Sequence, residues 1–433
     1  MKGRGAGTPD MPIRTRFQIQ FYLVISCSRS VPMIILFSET DTEQTTMIQC
    51  VTLSDFLSFG PGSHHLKLGP LNVLIGPNGS GKSNLVEAFS VLRAVPRDLP
   101  LPIRQGGGVD EWIWRGPAER RADCATLEIL FEAGEITDKA IRYRVTFGSE
   151  AGRFIVIDER IENEQGAPKP YFFFGYENGR PMLNNAKGAN RALERADIDR
   201  TQSILSQRRE PESYPEVAAT GDRLKEILIY RAWSFGPQSP IRAACGADVQ
   251  TDRLLEDFSN LPARLAVLKR FPATKKRLLE LLAEVAPGFT DVEIIPEGGQ
   301  LRLYLTEGER NVPAHRLSDG TLRYLSLLAI LLDPGTAQLV IIEEPELGLH
   351  PDVLPALRDL FVEASTRFQL IITTHSTQLI DTMTEHAGAV VVCEKEEGTS
   401  RMTRLDAGQI ARWKEFGPLG SLWLSGRIGG TRW

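Results

Sequence analysis

From Met47 onward, short apolar runs alternate with glycine- and proline-rich breaks. IQCVTL, FLSFG and HLKLGPLNVLI read as successive short strands, punctuated by Pro61-Gly62 and Gly69-Pro70. Residues 71–75 read as a buried strand that runs straight into a glycine-rich loop. The SNLVEAFSVLRAV stretch that follows sets Leu85, Ala88, Phe89 and Leu92 at the spacing of one helical face. The predicted order is therefore strand, glycine loop, helix. Beyond a loop-like segment at 106–116, ATLEILF, IRYRVTF, RFIVIDERI and KPYFFFGY predict antiparallel strands that extend a β-layer.

The pattern changes over residues 180–290. DRLKEILIYRAW, LPARLAVLKRF and TKKRLLELLAEV read as helices, and Pro272 separates the last two. No heptad is sustained, which excludes a long coiled-coil arm. DVEIIPEGGQLRLYLTE predicts a hairpin. From Arg316 the pattern is α/β: a helix after LSDGT, a strand at QLVII, a helix around VLPALRDLFVEA, then strands at FQLIIT and AVVVC. These shifts predict an N-terminal lobe at 47–179, a helical insert at 180–290 and a C-terminal lobe at 291–433. Residues 1–46 read as an appendage outside the core. Their apolar run at 21–37 is broken by Arg29 and Pro32, a poor membrane span, and no clean cleavage site follows Arg14 and Arg16.

Composition narrows the class without naming a function. With 42% hydrophobic and 24% charged residues over 433 positions, disordered and fibrous classes are excluded. Fifty basic against 55 acidic side chains give a net charge of -5, so any nucleic-acid contact must come from a local patch. The five cysteines are scattered and form no CxxC pair, which argues against a disulfide framework or zinc site and for a reducing cytoplasm.

Four segments carry chemistry. Gly76-Pro77-Asn78-Gly79-Ser80-Gly81-Lys82-Ser83, followed by Asn84, has the GxxxxGK[ST] spacing between a strand and a helix. Its backbone N–H groups are suited to cradle phosphates, Lys82 to reach the β- and γ-phosphates and Ser83 to ligate Mg²⁺. QLVIIEEPELGLHP places Glu343 and Glu344 at the C-terminal tip of a buried strand, where ligands of such sheets bind. Glu343 is the candidate metal ligand, and Glu344 the group that orients or deprotonates an attacking water. Ser318, Asp319 and Gly320 open an apolar helix. They suit either a plain N-cap or a second phosphate-facing helix terminus, one able to meet a nucleotide held by another molecule. His375 follows the strand FQLIITT and is a candidate γ-phosphate contact.

In that order, GPNGSGKSN, LSDGT, LVIIEEPELGLHP and TTHS resemble the ABC-type ATPase head shared by SMC, RecF and overcoming-lysogenization-defect (OLD) proteins. Within that group the chain is most similar to stand-alone bacterial predicted AAA-family ATPases, whose pattern SFGPQSPIR and GGTRW also resemble. The resemblance implies an α/β P-loop NTPase with a mixed central sheet, an antiparallel β-layer and the helical insert. It also implies ATP and Mg²⁺ as ligands, and a dimer in which the Ser318 turn of one copy completes the ATP site of the other. Lys82 and Ser83 match Walker A, Ser318 and Gly320 the signature, and Glu343 and Glu344 Walker B. Leu349 and His350 match the D-loop region, and His375 the switch histidine. Asp319 and Glu343 depart from the transporter pattern. Gln105 and Gln165 are candidates for the Q-loop.

The interval between the P-loop and the signature is too short for SMC arms, and the tail after His375 too short for an appended nuclease domain. Any nuclease or other effector is expected to be a separate polypeptide, with DNA as a further candidate partner and no membrane involved. Lys269, Arg270, Lys275, Lys276 and Arg277 form one candidate DNA patch, for which a solvated helical face is the competing reading. Arg191, Arg195, Arg200, Arg208 and Arg209 are further candidates, and Trp112 and Trp114 are expected to pack. The function expected is an ATP-driven switch in DNA repair, recombination or anti-phage defence. The alternatives are an ATP-occupancy sensor with little turnover and a transporter-energising subunit.

Overall fold

The computed structural model describes residues 47–429, apart from 117–120, 135–138, 165–169, 178–179, 186, 189, 195–197, 335–337, 407, 409–412 and 414–415. The extension at 1–46, Gln165, Arg195 and most of GGTRW therefore lie outside the described residues.

Uninterrupted burial marks the central sheet. Its strands β3 (Leu71–Ile75), β15 (Leu339–Glu343), β16 (Gln369–Thr374) and β17 (Val390–Glu396) are apolar on both faces for most of their length, as parallel strands covered from two sides must be. With β10 (Ile227–Tyr230) and β18 (Thr399–Arg404) they form the order β10-β15-β16-β3-β17-β18. All pairs are parallel except β17 with β18.

Alternate side chains of this sheet enter different cores. Leu74, Ile341 and Ile371 join one that holds Leu85 and Phe89 of α1 (Lys82–Ala94). Val73, Ile342 and Ile372 join the other. The first core is closed by an antiparallel sheet of eight strands in the order β2-β1-β4-β5-β6-β7-β8-β9. These are β1 (Ile48–Ser54), β2 (His64–Lys67), β4 (Cys124–Phe131), β5 (Ile141–Glu150), β6 (Arg153–Asn163), β7 (Phe172–Glu177), β8 (Arg180–Asn184) and β9 (Asn190–Ala192). Here β4 and β5 bury every second residue, so this sheet turns one face to the core.

Further helices complete the frame: α2 (Pro100–Gln105), α3 (Val109–Trp112), α4 (Ile204–Gln207), α5 (Pro215–Lys225), α6 (Leu261–Leu268) and α7 (Pro272–Val285). The second core is covered by α6, α7, α8 (Asp319–Leu331) and α9 (Leu354–Ala364), with α10 (Thr377–Thr382) and the helix Leu419–Leu424 beside them. A small antiparallel sheet joins β11 (Cys245–Gly246), β12 (Phe289–Glu297), β13 (Gln300–Glu307) and β14 (Arg310–Pro313), so the predicted hairpin is present.

Three local readings change. FLSFG is a tight turn with a Phe56–Phe59 bridge, because Asp55 and Leu57 take positive φ and cannot continue a strand. In DRLKEILIYRAW the helix stops at Lys225 and ILIY forms β10. Four consecutive buried β-formers pair better with β15 than they would continue an amphipathic helix. Residues 180–290 consequently contribute strands to both large sheets as well as helices.

Four of the five residues of the candidate DNA patch lie beside acids. Lys269 bonds Asp291 at 2.9 Å, Lys275 reaches Asp291 at 3.5 Å, Arg277 lies 3.7 Å from Glu363 and Lys276 3.9 Å from Glu280. Arg191, Arg200 and Arg209 also pair with acids. Trp112 and Trp114 are buried.

Candidate functional site

Three neighbouring strands end level with one another. Ile75 of β3 lies opposite Thr374 of β16, and Thr373 opposite Glu343 of β15. The chain therefore leaves the sheet at one edge into the glycine loop, the acid pair and His375.

The glycines of the loop are required by geometry. At Gly76 (φ +154°) a Cβ would sit 2.3 Å from the carbonyl oxygen of Cys393, and at Gly81 (φ +102°) it would sit 2.3 Å from Ser400 Oγ. Lys82 is buried where α1 begins, and its Nζ donates to the carbonyls of Gly76 at 2.7 Å and Pro77 at 3.0 Å. Burial pushes its pKa down, against the opposing pull of Glu344 and Glu343. The first turn of α1 is anchored by Asn84 Nδ2, which donates to Ser58 Oγ at 2.6 Å.

Glu343 accepts a hydrogen bond from Ser83, and burial raises its carboxyl pKa while Ser83 and Arg231 oppose that rise. Glu344 sits just past the strand with φ +46°, a left-handed conformation that a non-glycine residue adopts only when held. Its N–H donates to Thr373 O at 3.0 Å, and its carbonyl accepts from Arg323 Nη1 at 3.1 Å and Leu347 N at 3.2 Å. The carbonyl of Glu343 accepts from Trp233 Nε1 at 2.7 Å.

His375 joins the two halves of the site. Its Nε2 lies 2.9 Å from Glu344 Oε1, and its Nδ1 lies 3.1 Å from Gly76 O. Burial lowers the imidazole pKa, and the charge of Lys82 lowers it further. Next to this pair Glu346 is buried and accepts from Thr374 Oγ1. Burial raises its pKa, and its Oε2 has no hydrogen-bond partner.

The Ser318-Asp319-Gly320 turn opens α8. Ser318 caps α8, its Oγ accepting from Thr321 N at 3.1 Å, and Asp319 pairs with Arg242. Gly320 lies against the turn after Glu344, where a Cβ would be 2.9 Å from Gly348 O. Residues 318–320 bond to Thr321 and to Arg242. In the same turn region Leu347 and His350 are exposed. Gln105 ends α2, away from these contacts.

The residues fit a Mg-nucleotide. The Ser80 hydroxyl is buried without a partner, Gly79 has open space where a Cβ would be, and a buried ammonium stands at the base of the loop. Among the described residues no cluster of three His, Cys, Asp or Glu side chains could hold a metal. The oxygen pair Ser83–Glu343 suits Mg²⁺, which takes few protein ligands and completes its shell with phosphates and water.

Four contributors escape the motif reading: Trp233, Arg242, Arg323 and Glu346. Arg323 was visible as a lone charge inside the apolar helix LRYLSLLAILL, yet it is only 8% exposed. Nothing in the spacing says which carbonyl it meets.

The family described as "AAA domain, putative AbiEii toxin, Type IV TA system" matches residues 71–381. The chain belongs to this AAA family. Its fold is that of an SMC-type P-loop ATPase head. It superposes on an Smc head bound to the C-terminal winged-helix domain of ScpA with a TM-score of 0.53 at 16% identity, covering 84% of this chain and 99% of that one. An Smc head from Pyrococcus furiosus, bound to the C-terminal domain of ScpA, gives 0.51 at 15% identity over 86% and 99% of the two chains. No curated protein sequence matches the chain. Among the described residues no helix is long and apolar enough to cross a membrane.

Proposed function

We propose that this AAA-family ATPase is a hydrolysing switch in which Mg-ATP joins two copies of the chain and hydrolysis releases them. The observation that carries this reading is the contact of Glu344 with His375, which itself faces the glycine loop. An ATP-occupancy sensor would need Lys82 and the loop, but not a carboxylate held in a left-handed conformation against an imidazole.

Lys82 exchanges the carbonyls of Gly76 and Pro77 for the β- and γ-phosphate oxygens of ATP, and the loop N–H groups hold the remaining oxygens. Ser83 and Glu343 would hold Mg²⁺, which would neutralise charge on the phosphates. Glu344 accepts a proton from the attacking water as the water oxygen bonds to the γ-phosphorus and the bond to the ADP oxygen breaks. His375 orients the Glu344 carboxylate and contacts the transferring phosphoryl group. Ser318 and Gly320 complete the site of the second copy.

The switch acts on DNA or on a separately encoded effector, in defence or in repair. The family description, which names a toxin of a type IV TA system, supports defence. The similar Smc head bound to ScpA supports a protein partner. Phosphate release from ATP tests the enzymatic step: the wild-type chain should turn over ATP, and Lys82→Ala and Glu344→Gln should not. A wild type without Mg-dependent turnover would leave the sensor reading.

A further inference from the structure

Residues 233–242 belong to no sheet, yet they are bonded at one end to the Glu343 peptide and at the other to the turn that opens α8. At one end Trp233 Nε1 donates to the carbonyl of Glu343 at 2.7 Å. Trp233 and Phe235 stack on the buried ring of Phe258, with centroids 4.9 and 6.5 Å away. The Arg323 guanidinium lies over Trp233 and Phe235, at 4.7 and 5.2 Å, and donates onward to the carbonyl of Glu344. At the other end Arg242, 10% exposed at its side chain, donates to Leu317 O and Phe235 O, both at 2.8 Å, and pairs with Asp319.

These contacts exceed what a covering loop needs. Both carbonyls of the Glu343-Glu344 pair are taken by side chains, and one of those side chains, Arg323, belongs to the helix that Ser318 caps. Arg242 fixes the residue just before that cap and the acid just after it. A guanidinium fork sandwiched against aromatic rings holds direction as well as distance, which a flexible ammonium does not.

We propose that residues 233–242 form a strap coupling the signature turn to the Glu343-Glu344 peptide of the same chain, with Trp233, Arg242 and Arg323 as positioning residues. Seating the turn on a second copy's nucleotide then sets Glu344 for hydrolysis in its own site, and the two sites of the dimer turn over together. This inference rests on the hydrolysing-dimer reading.

The test uses the full chain with Trp233→Phe, which keeps the ring and loses the N–H, and Arg242→Lys, which keeps the charge and loses the fork. Each should lower kcat about tenfold or more while equilibrium ATP affinity changes less than about twofold, the pattern of an interaction made for turnover and not for binding. The double variant should be no slower than the worse single variant, because either change severs the same connection. Losses that multiply, an unchanged kcat, or ATP affinity and Tm falling in step with kcat would each overturn the strap. If Arg242→Lys does not fold, Arg323→Lys replaces it in the same cycle, with the same outcomes. A wild type that turns over ATP beside multiplying variants removes the strap alone, whereas a wild type without turnover removes the hydrolysing-dimer reading and the strap with it.

Discussion

Glu344 Oε1 and His375 Nε2 are 2.9 Å apart, while the other ring nitrogen of His375 faces the carbonyl of Gly76 at 3.1 Å. Both acceptors are satisfied together only when the pair holds an extra proton on the ring or the carboxyl. Burial, and after it the charge of Lys82, lower the imidazole pKa and so disfavour the protonated ring.

A pH profile follows, with a definite sign. As pH falls through the lowered value, His375 takes up a proton and its charged ring holds the Glu344 carboxylate that should take a proton from water. kcat/KM for ATP should therefore stay level through the ordinary histidine range, around 6.5, and decline only below it. A decline centred above that range would contradict the pairing.

The two ends of the site should fail differently. Lys82→Ala removes the buried ammonium from the loop, so ATP binding and turnover should both be lost. Glu344→Gln keeps size and hydrogen bonding, so ATP should still bind while turnover falls by on the order of 10²-fold or more. Equilibrium binding of a fluorescent ATP analogue, read beside phosphate release, separates the two. Equal loss of binding in both variants would contradict the division of roles.

Gly76→Ala should be far more damaging than Gly79→Ala, although both glycines have positive φ. At Gly76 the added methyl meets the Cys393 backbone, whereas nothing lies within 4 Å of it at Gly79. Denaturant unfolding should show a cost of about 1–3 kcal/mol at position 76, with ATP binding lost, and less than that at position 79. Equal stability of the two variants would contradict the loop geometry.

How much of this was legible in the chain depends on the range of the signal. The glycine loop, the acid pair, the serine cap and His375 were readable because each is a short spacing beside an apolar strand or helix. The antiparallel layer followed from alternating runs such as ATLEILF and IRYRVTF, whereas the mixed central sheet followed from the resemblance. ILIY was misread because four apolar residues after a helix look like its continuation until β15 is there to pair with them. Trp233, Arg242 and Arg323 act across separations of 110, 75 and 21 positions, which no local pattern encodes.

Charge pairing also favours the solvated-face reading of the candidate DNA patch. Lys269 is bonded to Asp291 and to the carbonyl of Val292, so Lys269→Glu should destabilise the fold by about 2 kcal/mol. Changing Lys269, Arg270, Lys275, Lys276 and Arg277 together to Glu should lower Tm without altering the affinity or salt dependence of any DNA binding. Filter binding across a salt series checks this, and a flattened salt slope would restore the patch as a DNA contact.

The central claim, a dimer joined by nucleotide, is tested most directly by sizing the Glu344→Gln chain by light scattering with and without saturating Mg-ATP. The account predicts a monomer without nucleotide and a stable dimer with it, and predicts that adding Ser318→Arg returns the monomer while ATP remains bound. A Glu344→Gln protein that stays monomeric at saturating ATP, or dimerises equally without it, would contradict the account even if the wild type hydrolyses ATP.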